Sequence, residues 1–205
     1  MRTFPIMLDL CDRPVVVVGA GAVGLRKAES LRDAGARVKL ISRRIDSPDP
    51  PVGIDMAREP YRKELLGEAF LVFACTDDRG LNTQIARDAR TIGALVNVAD
   101  TPDECDFYLS ATVRSGDVVV AIGTGGAVPA LSAWLKRRIS DGLPPRLDEF
   151  AAVLEEIRRE LRESVADSRR RMTIMKQLVC EETYQAFLNA GAAALRAELR
   201  ELLAR

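Results

Sequence analysis

The sequence of 205 residues contains no histidine. Nucleophilic catalysis by a Ser-His-Asp or Cys-His arrangement, histidine metal sites and proton transfer by imidazole are therefore excluded within this chain. Any proton transfer has to use Asp, Glu, Cys, Lys, Tyr or water. A carboxylate acting as a base near neutral pH would gain from partial burial, because desolvation raises its pKa.

Other scarce features narrow the class of protein. Lysine plus arginine equals aspartate plus glutamate, at 30 each, so the overall charge favours neither nucleic acid nor an anionic membrane as a partner. The longest apolar runs are only strand-sized, and the opening MRTFPIMLDLCDR carries an aspartate where a signal peptide would be apolar. We therefore expect a soluble, cytoplasmic protein.

The four cysteines lie far apart and form no CxxC pair, which predicts neither a zinc site nor a redox dithiol. We expect reduced and mostly buried thiols at Cys11, Cys75, Cys105 and Cys180.

The most informative stretch that is present is VVVVGAGAVG, in which four valines run into Gly19, Gly21 and Gly24 and then into LRKAESL. In a dinucleotide-binding turn the first glycine permits the sharp turn, the second lets the backbone approach the diphosphate, and the third lets helix and strand pack closely. The free amides at the helix N-terminus then face the anion. The motif predicts dinucleotide binding; the alternative is a structural turn of the same kind without a ligand.

Strand and helix patterns alternate through the first half of the chain, as in a parallel sheet with crossover helices. The predicted strands are 15–18, 38–41, 69–75 and 94–98, and the predicted helices are 25–33 and 81–90. We therefore predict an α/β fold whose first domain is a Rossmann-type parallel sheet over residues 1–113.

The character of the sequence changes after that domain. A strand at 117–122 leads into GTGG, and Pro129 opens an amphipathic helix with four apolar residues on one face: Leu131, Trp134, Leu135 and Ile139. After GLPPR at 142–146 the chain is helical to its end. The helical part carries apolar stripes, most simply core or subunit contacts, made of Phe150, Val153, Leu154, Ile157 and Leu161 and of Leu178, Val179, Phe187, Leu188, Leu195, Leu199 and Leu202. We predict a small segment over 114–146 and an all-helical C-terminal domain over 147–205.

Several stretches occur together in an order that is more specific than the glycine motif alone. They are FPIMLDLCDRPVVVVGAGAVGLRKAESLRDAGARV, FACTDD, VNVAD and CDFYLSATVRSGDVVVAIGTGGAVPAL, between about residues 4 and 146. This combination, including the pair Arg26 and Lys27, resembles the precorrin-2 dehydrogenase and sirohydrochlorin ferrochelatase family, the dehydrogenase-chelatase module of siroheme synthases.

The resemblance implies NAD-dependent oxidation of precorrin-2 to sirohydrochlorin, on the route to siroheme and in some organisms to cobalamin. It also implies a homodimer in which residues 114–146 are the dimerisation segment. The methyltransferase half of the fused enzymes is not encoded in this sequence, so a separate methyltransferase is expected to supply precorrin-2. Some members of the family also insert ferrous iron into the product.

Asp100 matches the catalytic aspartate at the end of the family's N-V-x-D segment. It follows a buried strand, where open α/β sheets place their ligands. A carboxylate there can take a proton as a hydride leaves the macrocycle, so the resemblance implies a general base. On the residues alone, the simpler interpretation is that Asp100 caps the turn before TPDE, and it is the resemblance to the family that reverses this preference.

The cofactor residues expected beside the three glycines are Ala22 and Val23 within the turn and Thr76 and Asp77 after the FAC strand. Typical NAD enzymes carry an acid at the end of the second strand to bind the ribose hydroxyls, but this chain has Ser42, Arg43 and Arg44 there. Two arginines could pair with a 2′-phosphate and favour NADP, or one could stack on adenine. Because the family usually uses NAD without that acid, NAD is the expected cofactor and NADP the alternative.

An acidic tetrapyrrole would need cations and backbone amides around it. The expected substrate contacts are Asn97, Arg114, Thr124, Gly125 and Gly126, with no metal-ligating residue assigned. Further candidates are Lys136 to Arg138 and Arg169 to Arg171, although any one of these charges is more simply a solvated surface group.

The chain also departs from the family pattern. Val128 stands where the family often has a serine, and no histidine is present to bind iron, so dehydrogenase chemistry is expected while chelatase activity stays open. Two other classes remain: a Rossmann nucleotide-sensing module without catalysis, which would need neither Asp100 nor the GTGG turn, and an oxidoreductase with a Tyr-x-x-x-Lys pair, which this chain lacks.

Overall fold

The computed structural model describes residues 3–45, 51–125 and 128–204. The chain divides into two compact units, Met1–Leu109 and Ser110–Arg205. This division lies slightly before the predicted domain boundary at residue 113, because a strand spanning that position belongs as a whole to the second unit.

The first unit is built on one five-stranded parallel sheet, with the strand order β3-β2-β1-β4-β5. Its strands are β1 (Pro14–Val18), β2 (Arg37–Ile41), β3 (Asp55–Ala57), β4 (Leu71–Ala74) and β5 (Leu95–Val98). The helices α1 (Ala22–Asp33) and α2 (Arg79–Thr91) are its crossovers, with short 3₁₀ turns at Lys63–Leu66 and Pro102–Glu104. The strand order reverses beside β1, which is where open α/β sheets bind their ligands.

Apolar strand residues bury both faces of this sheet. Val17, for example, pairs with Leu40 of β2 on one side and with Phe73 of β4 on the other. Alternate residues of β1 point into two separate cores, so that Val15 and Val17 join one cluster while Val16 and Val18 join the other. A central parallel strand covered on both faces has to be apolar throughout, which explains the run of valines.

The Rossmann-type fold class predicted from the sequence is confirmed, with local differences. The short strand β3 is not predicted, because its three residues carry no alternating pattern and it forms by pairing with β2. The predicted strand at 69–75 is shorter at both ends, and α1 begins directly after Gly21, which is its N-cap.

The second unit begins with an antiparallel hairpin of β6 (Ala111–Ser115) and β7 (Val118–Ile122). Its turn contains Gly116 at φ 56°, in the left-handed region that glycine tolerates. The helices that follow in the described residues are α3 (Pro129–Asp141), α4 (Leu147–Ser164), α5 (Ser168–Leu178), α6 (Glu181–Ala190) and α7 (Ala192–Ala204). The helical C-terminal region predicted from the sequence is therefore confirmed.

Helices α4 to α7 share one hydrophobic core of their own. The stripe predicted on α4 faces it, with Phe150, Ile157 and Leu161 buried and two further members partly buried. The prediction is wrong for Val179, which follows α5 and is exposed. Helix α3 contains no buried residue. Its apolar face is only partly covered by the described residues, since Leu131 is 43% and Trp134 49% exposed while Leu135 and Ile139 are half-buried.

The four cysteines are free thiols, but the expectation that most of them are buried is wrong. Cys75 is buried at the end of β4 and Cys105 is half-buried, whereas Cys11 lies in the turn before β1 and Cys180 caps α6, and both of these are exposed. Within the described ranges, no helix has both the length and the apolar composition needed to cross a bilayer.

Candidate functional site

The glycine turn between β1 and α1 is tight and leaves an open helix N-terminus. Gly19 has φ 106°, and a Cβ there would collide with the backbone of Cys75, while a Cβ on Gly24 would collide with the carbonyl of Gly19. Gly21 is different, because a Cβ there meets nothing within 4 Å. No side chain caps the helix at Gly21, and the first turn holds no acidic residue. The backbone amides around Ala22 and Val23 are therefore able to donate hydrogen bonds to an anion.

The end of β2 presents an arginine to an open cleft. The Ser42 hydroxyl donates to the Arg44 carbonyl at 2.7 Å, which fixes the turn after the strand. Arg43 is exposed and lines a cleft of about 410 Å³, together with Pro60, Tyr61, Asp78, Gly80, Leu81 and Gln84. Among the described residues that line the cleft, Arg43 supplies a cation and Asp78 a carboxylate.

The loop between β4 and α2 is held by a buried amide. Asn82 accepts from the Thr76 hydroxyl at 2.7 Å and from its backbone amide at 3.1 Å, and donates back to its carbonyl at 2.9 Å. Asp78 caps α2 by accepting from the Leu81 amide at 3.0 Å. Thr76 thus shapes the loop through internal bonds, while Asp77 is exposed on it.

Asp100 lies in the loop that follows β5 and is exposed. Its backbone is in the left-handed region, with φ 57°, which aspartate adopts more readily than most residues. The residue before it is tied to the sheet, because the Ala99 amide donates to the Ala74 carbonyl at 2.9 Å. The carboxylate is therefore presented at the carboxyl edge of the sheet, next to the end of β4.

Two further residues on this edge are joined across the sheet. Lys27 of α1 donates from Nζ to Asn97 Oδ1 at 2.7 Å, and its ammonium lies 5.2 Å from the ring centroid of Phe73. Asn97 is only 8% exposed. Little of the Asn97 side chain is therefore accessible for the substrate contact that the sequence analysis expects. Sequence reasoning assigned Lys27 no role, although it lies on the face of α1 that buries Gly24, Ala28 and Leu31.

The pKa is raised for the Cys75 thiol at this edge and for the Tyr61 phenol in the cleft after β2. Burial raises the pKa of the Cys75 thiol; the Lys27 ammonium opposes this rise and the nearby Asp100 carboxylate adds to it. Lys27, Cys75 and Asp100 are therefore electrostatic neighbours. In the cleft after β2, burial and then the hydrogen bond from Tyr61 to Asp88 raise the pKa of that phenol, so it stays neutral and donates at 2.9 Å.

The remaining expected substrate residues lie in the second unit. Arg114 is exposed on β6 opposite Val119. The Thr124 hydroxyl bonds to Ser132 Oγ at 3.0 Å and donates to the Val128 carbonyl at 3.3 Å, so it is tied to the start of α3. Gly125 has φ 63°. Gly126 lies outside the described residues.

The Arg169 to Arg171 cluster is largely engaged within the helical region. Arg171 donates to the carbonyls of Val165 and Ala166, and Arg170 donates to that of Leu203.

A doubly covered parallel sheet, a tight glycine turn and an uncapped helix N-terminus at the point of strand reversal define a dinucleotide-binding α/β domain. Residues 6–111 match the family described as putative NAD(P)-binding. The chain belongs to that family, and its cofactor is of the NAD type.

Known proteins similar to this chain include siroheme synthases. That of Methylococcus capsulatus is 33% identical over 97% of this chain and 45% of its own length. That of Stutzerimonas stutzeri is 31% identical over 100% of this chain and 44% of its own length. The chain thus spans less than half the length of these curated relatives.

The fold also matches a solved structure. A protein described as SirC, precorrin-2 dehydrogenase, superposes with a TM-score of 0.78, covering 99% of this chain and 100% of the other at 19% sequence identity. At that identity the match establishes the common fold.

Proposed function

We propose that this chain is an NAD-dependent precorrin-2 dehydrogenase that forms sirohydrochlorin in siroheme biosynthesis, with Asp100 as the general base. The observation that carries the proposal is the placement of Asp100. Asp100 directly follows Ala99, whose amide donates to the Ala74 carbonyl at the end of β4. The next residue of that strand end, Cys75, packs its backbone against Gly19 of the dinucleotide turn. The similarity to siroheme synthases supports the choice of substrate.

The reaction removes one hydride and one proton from precorrin-2. The bound NAD supplies the hydride acceptor. The residues around the glycine turn, including Ala22 and Val23, would hold the diphosphate through backbone amides, and the loop of Thr76 and Asp77 would contact the dinucleotide. Asp100 accepts the proton, which a carboxylate can do with no histidine in the chain.

NAD is the inferred cofactor in preference to NADP. A 2′-phosphate would bring extra negative charge to the end of β2, where Arg43 would attract it. The same cleft also contains Asp78, whose carboxylate would repel it. Since attraction and repulsion oppose each other there, the cleft gives the 2′-phosphate little advantage over the ribose hydroxyl of NAD.

In the second unit, Arg114, Thr124, Gly125 and Gly126 remain our proposed substrate contacts, by a cation and by turn amides suited to carboxylates. We also propose that the chain forms a homodimer through the dimerisation segment expected at 114–146. Together with the start of the hairpin, this segment covers residues 110–146 and is hereafter called the middle segment. The partly covered apolar face of α3, with Leu131 and Trp134 about half exposed, supports a second copy of the chain as its cover.

A nucleotide sensor without catalysis is not favoured, because a sensor has no need of the carboxylate of Asp100 beside the dinucleotide turn. The described residues contain no cluster of three or more Cys, Asp or Glu side chains suited to a metal ion. Chelatase activity is therefore not part of the proposal and is tested separately.

The test is anaerobic conversion of enzymatically generated precorrin-2, with NAD and NADP in parallel and sirohydrochlorin followed by absorbance. We expect product with NAD, less with NADP, and none with protein omitted. Adding ferrous iron afterwards tests chelatase activity against the rate without protein. Folded protein that binds dinucleotide but yields no product with either cofactor would refute the proposal and favour the sensor.

A further inference from the structure

A chain of hydrogen bonds connects the dinucleotide-binding helix to the loop that holds Asp100. It begins at Lys27, six residues after the helix N-cap, runs through Asn97 on β5 and ends at Cys105. Lys27 and Asn97 are 70 residues apart in sequence: Lys27 belongs to the helix α1, and Asn97 belongs to β5, the edge strand next to β4.

Lys27 occupies a core-facing position that a lysine would ordinarily avoid. Gly24, Ala28 and Leu31 on the same helix face are buried. The ammonium is accommodated by the Asn97 carbonyl oxygen at 2.7 Å and by the face of the Phe73 ring. A half-buried cation with a short hydrogen bond to a buried amide is a fixed group, since breaking the bond would leave both partners poorly solvated.

Asn97 is engaged at both ends of its side-chain amide. Its oxygen accepts from Lys27, while its nitrogen donates to the Phe107 carbonyl at 3.0 Å and lies 3.6 Å from Cys105 Sγ. These bonds fix the orientation of the amide. With 8% exposure and both NH₂ hydrogens directed inward, Asn97 has little left to offer a ligand.

Cys105 closes the loop around Asp100. Its sulfur accepts from the Val98 amide at 3.2 Å, and its thiol proton can reach the carbonyls of Val98 at 3.3 Å and Thr101 at 3.4 Å. These contacts are made on both sides of Asp100, whose left-handed backbone has to be held in place by its surroundings.

We propose that Lys27 is a positioning residue for Asp100, acting through Asn97 and Cys105, so that the helix that binds the dinucleotide also sets the place of the base. The inference rests on the proposed function insofar as Asp100 is the base. Its structural part, the link from Lys27 to the loop at 98–105, stands separately and is measured separately.

The experiment compares Lys27→Met, which keeps the length of the side chain but removes its donor, with Lys27→Arg, which keeps both charge and donor. The matched control is Arg26→Met, which removes a charge from the neighbouring exposed position of the same helix. For each protein we would measure kcat and KM for precorrin-2, the dissociation constant for NAD, and amide hydrogen exchange of the peptide covering 98–105.

Lys27→Met is expected to lower kcat by about 100-fold, the effect of moving a reacting group by about 1 Å. KM and NAD affinity should be unchanged, and exchange at 98–105 should be faster. Lys27→Arg should restore most of kcat, and Arg26→Met should match the parent. Unchanged kcat and exchange in Lys27→Met, or equal losses in Lys27→Arg, would overturn the proposal, because a role in packing alone predicts no rescue by charge and donor.

A second break in the same chain keeps the inference testable where Lys27→Met fails to fold. Cys105→Ala removes the contacts to Val98 and Thr101, whereas Cys105→Ser retains a donor and an acceptor. Cys105→Ala should accelerate exchange at 98–105 and lower kcat, with Cys105→Ser closer to the parent. The double variant Lys27→Met/Cys105→Ala should lose no more than the worse single variant, because both changes break one path. Losses that multiply would contradict a shared path.

The outcomes also separate the two proposals. Parent protein that fails to oxidise precorrin-2 refutes the dehydrogenase function, while the exchange comparison still decides whether Lys27 holds the loop. Active parent protein with unaltered exchange and turnover in Lys27→Met refutes the positioning role alone.

Discussion

The sheet domain and the middle segment differ in how much of their apolar surface they bury. Both faces of the five-stranded sheet are covered by cores formed from residues of the first unit. The middle segment contains a two-stranded hairpin and α3, a helix without a single buried residue. An isolated hairpin is only marginally stable in water, so such a segment needs further covering.

This difference indicates where each kind of function resides. A domain with a complete core can hold a turn, a base and a lysine in fixed places, because its packed interior over-determines their backbone. A segment with a partly covered apolar face is suited to association instead. The proposed chemistry therefore belongs with the first unit and the proposed dimer contact with the middle segment.

The largest effect is expected in the glycine turn of the sheet domain, where Gly24 would be needed for packing and Gly21 for dinucleotide binding. Gly24→Val should lower the free energy of unfolding by at least about 3 kcal/mol, because its side chain would collide with the Gly19 carbonyl. Gly21→Ala is the matched variant, since a Cβ there meets nothing within 4 Å; it should leave stability unchanged but weaken NAD binding. Urea denaturation and equilibrium binding measure the two effects. Equal stability of the two variants would show that Gly24 is not a packing requirement.

A smaller effect is expected in the middle segment. Trp134→Glu should weaken self-association by about 30-fold or more, because it places a charge in the apolar face of α3. Ala133→Glu, which alters an exposed residue on the opposite side of the helix, is the control. Sedimentation equilibrium measures the dissociation constant. Association that is equally strong in Trp134→Glu would remove α3 from the proposed interface.

The smallest effect concerns the rates of thiol labelling. Burial raises the pKa of the Cys75 thiol, so at a given pH less of it is thiolate than in a free thiol. Alkylation of Cys75 should therefore be slower than that of the exposed Cys11 and Cys180, and should accelerate only at a pH above the usual thiol range. Mass spectrometry of labelled peptides over a pH series measures this order. Rapid labelling of Cys75 near neutral pH would show that the end of β4 opens readily.

Much of the first unit is predictable from the sequence for a physical reason. Central parallel strands must be apolar on both faces, and the glycine turn marks where β1 ends and α1 begins. The strand β3 is not predictable, because DMA becomes a strand only by pairing with β2. For β6 the signal is likewise weak, since ATVRS acquires its strand conformation from pairing with β7.

The candidate site is predictable only in part. Local motifs identify the glycine turn and Asp100 as candidate site elements. The roles of both remain proposals. The bond between Lys27 and Asn97 joins residues distant in sequence, and no local pattern reports such a contact. One signal was present: Lys27 falls on the helix face that the apolar pattern of α1 assigns to the core, where a cation needs a partner.

A single-turnover experiment tests whether Asp100 is the general base. The complex of the protein with NAD is mixed anaerobically with precorrin-2, and formation of NADH is followed for the parent and for Asp100→Asn. The parent should form one NADH per active site, and Asp100→Asn should bind both ligands but react about 10²- to 10⁴-fold more slowly, the usual contribution of a general base. Equal rates in the two proteins would contradict the account and leave Asp100 as a turn residue.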